Sequence, residues 1–246
     1  MPAELPVPLM TLAIALVATF AAACAQGVVG FGFAVLSVPV LALVDTRLVP
    51  MPQLLITLPM TVMLFARERG AIDRRGLTWL LAGRVPGAAL GALLLAVSTP
   101  RTLNLWIAFA VLGAVALLAS GRSLKRTHAT EFVVGVVSGV MAFVAAIGGP
   151  PLALLYRDAK GPTLRATLSA VFALGSLITI IARLLAGQLT WLDVEIALWL
   201  LPALVLGVWV SRFLVAHVEG DTLRRAVLGL AAFAGVGVLA KALFAE

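Results

Sequence analysis

The sequence predicts an all-α polytopic membrane protein made of two inverted-topology repeats, each a helical hairpin broken near the midplane followed by three transmembrane helices. Three observations carry that prediction. Apolar residues make up 62% of the 246 and charged residues only 12%, against roughly 45–50% and about 25% in soluble domains. Two of the apolar stretches are interrupted by glycine and proline clusters that a straight helix does not tolerate. Finally, the basic residues fall into short clusters whose order along the chain fits only if both interrupted stretches turn back on themselves.

The first stretch, Leu5 to Val44, runs 40 residues without a charge, whereas one helix crosses a hydrocarbon core of about 30 Å with about 20 residues. It must therefore fold back. Gly27-Val-Val-Gly-Phe-Gly-Phe33, followed by Pro39, marks the bend, giving helices over 7–26 and 33–44 within a hairpin spanning 7–44. Spans follow at 48–66, which is irregular through Pro50, Pro52 and Pro59, at 76–99, which contains Arg84, and at 102–120. These complete a first repeat, 1–120, and a polar linker, 121–131, divides the chain. The second repeat, 132–246, opens with an interrupted element over 132–156, whose Gly148-Gly-Pro-Pro151 must break a helix entering from Phe132. Proline is tolerated in a first turn, so a shorter helix restarts at Pro150 or Pro151. Spans at 163–186, 190–211 and 223–244 complete the chain. Trp79-Leu-Leu81 recurs as Trp199-Leu-Leu201, and at the same spacing Gly87 meets Gly207 and Leu103 meets Leu223.

Loop charge sets the orientation. Basic residues gather at 67–75 (Arg67, Arg69, Arg74, Arg75), at 122–126 (Arg122, Lys125, Arg126), at 157–165 (Arg157, Lys160, Arg165) and at 212–225 (Arg212, Arg224, Arg225). The other connections hold Arg47, Arg101 and the acidic Asp193 and Glu195. If both interrupted elements are hairpins, every basic loop is cytoplasmic. Each half then has an odd number of crossings, so the halves are inverted and both termini are external, an arrangement in which broken helices meet around a substrate. The net charge of +7 is accounted for by these loops, and nucleic acid is not expected as a partner. Glu4, with no basic residue before the first apolar run, does not fit a cleaved signal peptide.

The doubled signature resembles the sulfite exporter TauE/SafE family of membrane transporters. It reads Gly27-Val-Val-Gly-Phe-Gly-Phe-Ala-Val-Leu-Ser-Val-Pro-Val-Leu41 in the first half and Gly139, Gly148-Gly-Pro-Pro-Leu152 and Arg165-Ala-Thr-Leu-Ser169 in the second. The resemblance covers nearly the whole chain. It implies export of sulfite or small organosulfonates, or transport of a related anion, in a bacterial cytoplasmic (inner) membrane. Phe31 and Phe33 interleave with the first glycines, which narrows or reshapes the pocket expected there.

The residues expected to bind substrate are the two turns, Gly27, Gly30, Phe31, Gly32 and Phe33 with Gly148, Gly149 and Pro150, joined by Arg84, Arg165, Gln53 and Ser169. Helix starts at the turns offer unpaired N–H groups and a positive dipole end to an anion. The competing reading is close helix packing through small residues. Arg84 lies eight residues into its span, about 12 Å at 1.5 Å per residue, where an arginine faces a cavity or a partner and its fork suits an oxyanion. Arg165 and Arg183 lie nearer the span ends, where snorkelling competes. Gln26, Ser37, Thr57, Thr167 and Ser176 could touch substrate or a proton, or bond back to backbone. Asp193 and Glu195 fit solvated helix ends better than proton carriers.

His128 and His217 fall in loops, and with Cys24 as the single cysteine they assemble no metal or nucleophile set. No catalytic residue, metal or cofactor is expected. The expected partners are a small anionic substrate and membrane lipid; proton coupling and a homo-oligomer stay open. Two other functions also stay open: an importer or channel for another small solute, and a non-transporting membrane assembly subunit.

Overall fold

The computed structural model describes residues 5–159, 161–217 and 220–244, so Glu4 and Lys160 lie outside it. Ten α-helices follow one another, with no strand among the described residues. They are α1 (Leu9–Val29), α2 (Phe33–Val44), α3 (Met51–Glu68), α4 (Arg74–Ala96), α5 (Pro100–Ala119), α6 (His128–Ala145), α7 (Gly149–Leu155), α8 (Gly161–Leu185), α9 (Trp191–Leu214) and α10 (Gly220–Phe244). Eight are long and apolar enough to cross a membrane; α2, with 12 residues, and α7, with 7, are not. The protein is multi-pass.

Both interrupted elements pair a long limb with a short one. α1 has 21 residues, about 31 Å of helix at 1.5 Å each, so its bend lies beyond Gly27, the first residue of the glycine cluster. Gly27 stays helical because nothing about its backbone demands a turn, and its missing side chain admits Ser211 of α9, whose Oγ would lie 2.0 Å from a Cβ there. The chain leaves the helix at Gly30 (φ 90°) and re-enters one after Gly32 (φ 118°), backbone shapes that side chains disfavour. In the second element the turn falls earlier than the glycines, at Ala146 (φ 58°), whose N–H caps Ala142 O. Gly148 has an ordinary φ of −88°. It is small for want of space, since a Cβ would sit 3.1 Å from both Ala142 Cβ and Ser138 Oγ.

α6 starts at His128, inside the stretch read as linker, because Thr127 and Thr130 form a reciprocal capping box there. Tyr156, just past α7, lies against Arg126, just before α6, with the Arg126 guanidinium 4.5 Å from the ring centre. The second hairpin thus returns to the end from which it set out. α2 finishes beside the last turn of α10, where Lys241 Nζ donates to Ala42 O and Leu43 O.

Two glycine seams hold the helices close. Gly83 and Gly87 of α4 face Phe132 and Val136 of α6, and a Cβ at Gly87 would fall 2.3 Å from Val136 O. The contacts advance together, Gly83 with Phe132 and Gly91 with Phe143, so α4 and α6 run parallel. α1 and α9 are parallel in the same way, Gly207 lying against Phe20 and Ala23 while Gly27 meets Ser211. Without a hydrophobic drive between helices in lipid, such backbone approach supplies the packing. Exposed Val17, Leu93, Leu185 and Phe233 on the outside suit a lipid-facing surface.

Candidate functional site

The two turns meet at the centre. The first is held by Gln26, whose Oε1 accepts from Phe33 N (3.0 Å) and whose Nε2 donates to Gly30 O (3.2 Å). The Phe33 amide is therefore already taken. The second is held by Ser138 of α6, whose Oγ donates to Gly148 O at 2.6 Å. A Cβ at Gly149 would lie 3.7 Å from Phe31 Cβ and 3.3 Å from Phe172 Cζ, which brings the turns into contact range. Between them lies a cavity of about 40 Å³, lined by Gln26, Gly32 and Phe33 on one side, Ala146, Gly148 and Gly149 on the other, and closed by Thr57, Arg84, Phe172 and Ser176.

Arg84 reaches this cavity from α4. It is 2% exposed, and its guanidinium occupies the space a side chain at Gly175 of α8 would fill, 2.3 Å from Cζ to the missing Cβ. Its Nη1 donates to Ser138 Oγ at 3.3 Å, whereas its Nε has no hydrogen-bond partner. Among the described residues no carboxylate pairs with it. A buried guanidinium that is neither paired nor fully hydrogen-bonded is costly, and an oxyanion in the cavity would supply what it lacks.

The other expected residues divide. Gly32, Phe33, Gly148 and Gly149 line the cavity, as do Gln26, Thr57 and Ser176. Pro150 is buried in the first turn of α7 and does not line it. Phe31 lines a separate cavity of about 320 Å³ together with Arg165. Arg165 Nε donates to Glu68 at 2.6 Å, and its Cγ would lie 2.9 Å from a Cβ at Gly30. Gly27 gives its carbonyl to Arg67 (2.6 Å) and is not at the cavity. Gln53 is fully buried with neither side-chain amide atom bonded, and Ser169 Oγ and Ser37 Oγ are likewise buried without partners; none of the three lines the cavity. Thr167 Oγ1 accepts from Asp73 N and ties α8 to the start of α4.

The chain matches the family model for sulfite exporter TauE/SafE over residues 14–238. It belongs to the TauE/SafE family. No curated protein and no solved structure matches it significantly. Membership in the TauE/SafE family points to a membrane transporter of sulfite or a related anion, and an arginine lacking a counter-ion in a central cavity agrees with anionic cargo.

One residue changes role from the sequence reading and one gains a role there. Arg183, read as a snorkelling anchor, is 4% exposed and turns inward, where Nε and Nη2 both donate to Phe143 O and the guanidinium lies 4.8 Å from the Phe143 ring centre. The last turn of α6 offers it unpaired carbonyls and a negative dipole end, a better partner than the lipid interface. Ser138 holds the second turn although a serine inside a glycine-rich helix carries no separate sequence signal. Its spacing, one residue before Gly139 in the seam that faces α4, is the only hint of what it touches. Asp193 serves as the N-terminal cap of α9 with Thr190, and His128 stacks on Trp79 at 5.1 Å.

Proposed function

We propose that this protein is a secondary transporter of a bacterial inner membrane that exports a small anion, sulfite or a compact organosulfonate, by alternating access. The observation that carries the reading is Arg84, a buried cation without a carboxylate partner at the meeting point of two helix turns. The membrane potential favours anion exit at about 2.3 kcal/mol per charge per 100 mV, and proton coupling is the other source of drive.

Alternating access needs two bodies that rock about the site, and inverted repeats supply them. Paired contacts support such repeats. Arg67, at the end of the first span after the first hairpin, donates to Gly27 O in the last turn of α1. Arg183, at the end of the corresponding second-half span, donates to Phe143 O in the last turn of α6. Donors and acceptors are each 116 residues apart (183 − 67 and 143 − 27). The parallel pair α4 and α6 has its counterpart in α9 and α1, again joining the third span-forming element of one half to the hairpin of the other.

The test is efflux from proteoliposomes loaded with labelled sulfite, against taurine, sulfoacetate and carboxylate controls. Saturable sulfite flux that Arg84→Gln removes is expected. Equal leakage from protein-containing and empty vesicles, for every anion, would rule the reading out.

A further inference from the structure

The cavity behind Phe31 is the larger of the two, about 320 Å³, and four guanidinium groups line it: Arg122 from the linker, Arg157 beyond α7, Arg165 at the start of α8 and Arg224 at the start of α10. Arg165 is held by Glu68 and Arg224 donates to Leu118 O. Among the described residues the Arg122 and Arg157 guanidiniums make no ion pair and no hydrogen bond to protein. Among the described residues no carboxylate lines the cavity. Cytoplasmic orientation requires only that loops be basic; it does not require that arginines from four separate segments converge on one concavity. The linker is drawn into place by a backbone bond from Leu124 N to Leu154 O at 3.2 Å, which sets Arg122 beside the end of α7. Converging like charges repel, and a cleft lined by one sign focuses a field on its interior.

The cavity also adjoins the transport site. Phe31 lines the outer cavity while its neighbours Gly32 and Phe33 line the inner one, so the first turn is the partition between them. Arg165 rests directly on that turn, against Gly30. We propose that this arginine-lined vestibule is a second anion site, which gathers an oxyanion on the basic face and loads it past Phe31 into the inner cavity. Its ligand is a sulfite or sulfonate group in solution, or the chemically similar phosphate of a lipid whose headgroup carries net negative charge, such as phosphatidylglycerol. The proposal deepens the anion-transport reading and rests on it for the loading step, though not for binding.

The test compares wild type with the double variant Arg122→Gln/Arg157→Gln and the charge-retaining Arg122→Lys/Arg157→Lys. Labelled sulfite is presented to the basic face in vesicles of phosphatidylcholine alone and with added phosphatidylglycerol. For the Gln pair the KM for sulfite should rise about tenfold, the lower end of the concentrating effect of a charged cleft. Its kcat should fall far less and its dependence on ionic strength should flatten, and the Lys pair should restore both. A rise in both lipids identifies the solute anion as ligand; a rise confined to phosphatidylglycerol vesicles identifies the headgroup. An unchanged KM and an unchanged salt dependence in both lipids overturn the vestibule. Equilibrium dialysis of labelled sulfite against purified full-length protein separates the two claims: arginine-dependent binding without flux keeps the vestibule and discards transport, and flux with neither such binding nor a KM rise in phosphatidylglycerol vesicles does the reverse.

Discussion

Replacing Arg84 by Gln should move transport and stability in opposite directions. In the protein as it stands, the guanidinium is 2% exposed, its Nη1 makes one bond of 3.3 Å to Ser138, and its Nε has no partner. Hydrogen bonds to charged groups contribute about 1.5–3 kcal/mol each, so a weak neutral-partner bond does not offset an arginine at bilayer depth, about 2.5–3.5 kcal/mol on insertion scales. The variant should melt at the wild-type temperature or above it. An anion in the cavity, however, loses at least one charge-assisted bond. At about 1.4 kcal/mol per tenfold, a loss of about 1.5–3 kcal/mol lowers sulfite affinity by roughly 10- to 150-fold. Thermal unfolding in detergent followed by tryptophan fluorescence reads the first quantity, and sulfite efflux from proteoliposomes reads the second. If Arg84 is instead structural glue for the α4–α6 seam, the Gln variant melts lower and transports normally, and the assignment of the cavity as an anion site is wrong.

Three further outcomes follow from the same geometry. Gly30→Ala places a side chain at φ 90° with Arg165 Cγ 2.9 Å away. Left-handed backbone costs about 1–2 kcal/mol and overpacking about 1–3 kcal/mol, so a melting curve identical to wild type would show that the turn is not held as described. Gly87→Leu drives a branched side chain into a space where even a Cβ falls 2.3 Å from Val136 O; the α4–α6 seam must open, and monodisperse protein recovered at wild-type yield would contradict the seam. For the inverted repeats, Thr46→Cys and Ser123→Cys in a Cys24→Ser background should react with an impermeant maleimide from opposite sides of the membrane. Labelling of both from one side removes the inversion.

The helices were legible in the sequence because lipid leaves a backbone so few options, and charge-free length alone announces a span. The turns were legible only as neighbourhoods. Gly27-Val-Val-Gly-Phe-Gly predicts a bend, yet not which glycine bends: Gly27 is small to admit Ser211 within a continuing helix, while Gly30 carries the positive φ beside Arg165. The second turn uses Ala146, a residue with no claim to positive φ, because α6 must stop where its last carbonyls meet Arg183 and where Gly148 can approach Ser138. Arg84 could be singled out, since one arginine deep in an apolar span is conspicuous. Its setting could not, because Ser138 and Gly175 come from helices 54 and 91 residues away (138 − 84 and 175 − 84). Gln26 is the opposite case. A glutamine beside a glycine turn reads equally as a substrate contact or a backbone partner, and both ends of its amide are spent on the turn's own backbone.

The inward-directed arginines now sort by what they meet, and the sorting explains why the chain can keep charge in its interior. Arg67 and Arg183 each reach a carbonyl in the last turn of a hairpin's long limb, Gly27 O and Phe143 O. There the helix supplies a partial negative charge of roughly half a unit and acceptors that its own geometry leaves unpaired. Each arginine thus neutralises the end of the limb that must stop inside the protein, and each limb can stop there because the arginine is present. Arg84 reaches no helix C-terminal carbonyl by a hydrogen bond, and its Nη2 lies instead 3.2 Å from the Cβ position of Gly148 at the start of α7. Its acceptor is a serine hydroxyl already committed to Gly148 O, its Nε has no partner, and the residue lines the cavity bounded by both turns. A structural role would be served better by the arrangement used twice elsewhere in the same chain. The departure from it, at the arginine that lines the central cavity, leaves a positive charge with no carboxylate partner among the described residues, which is the feature the proposed anion site rests on.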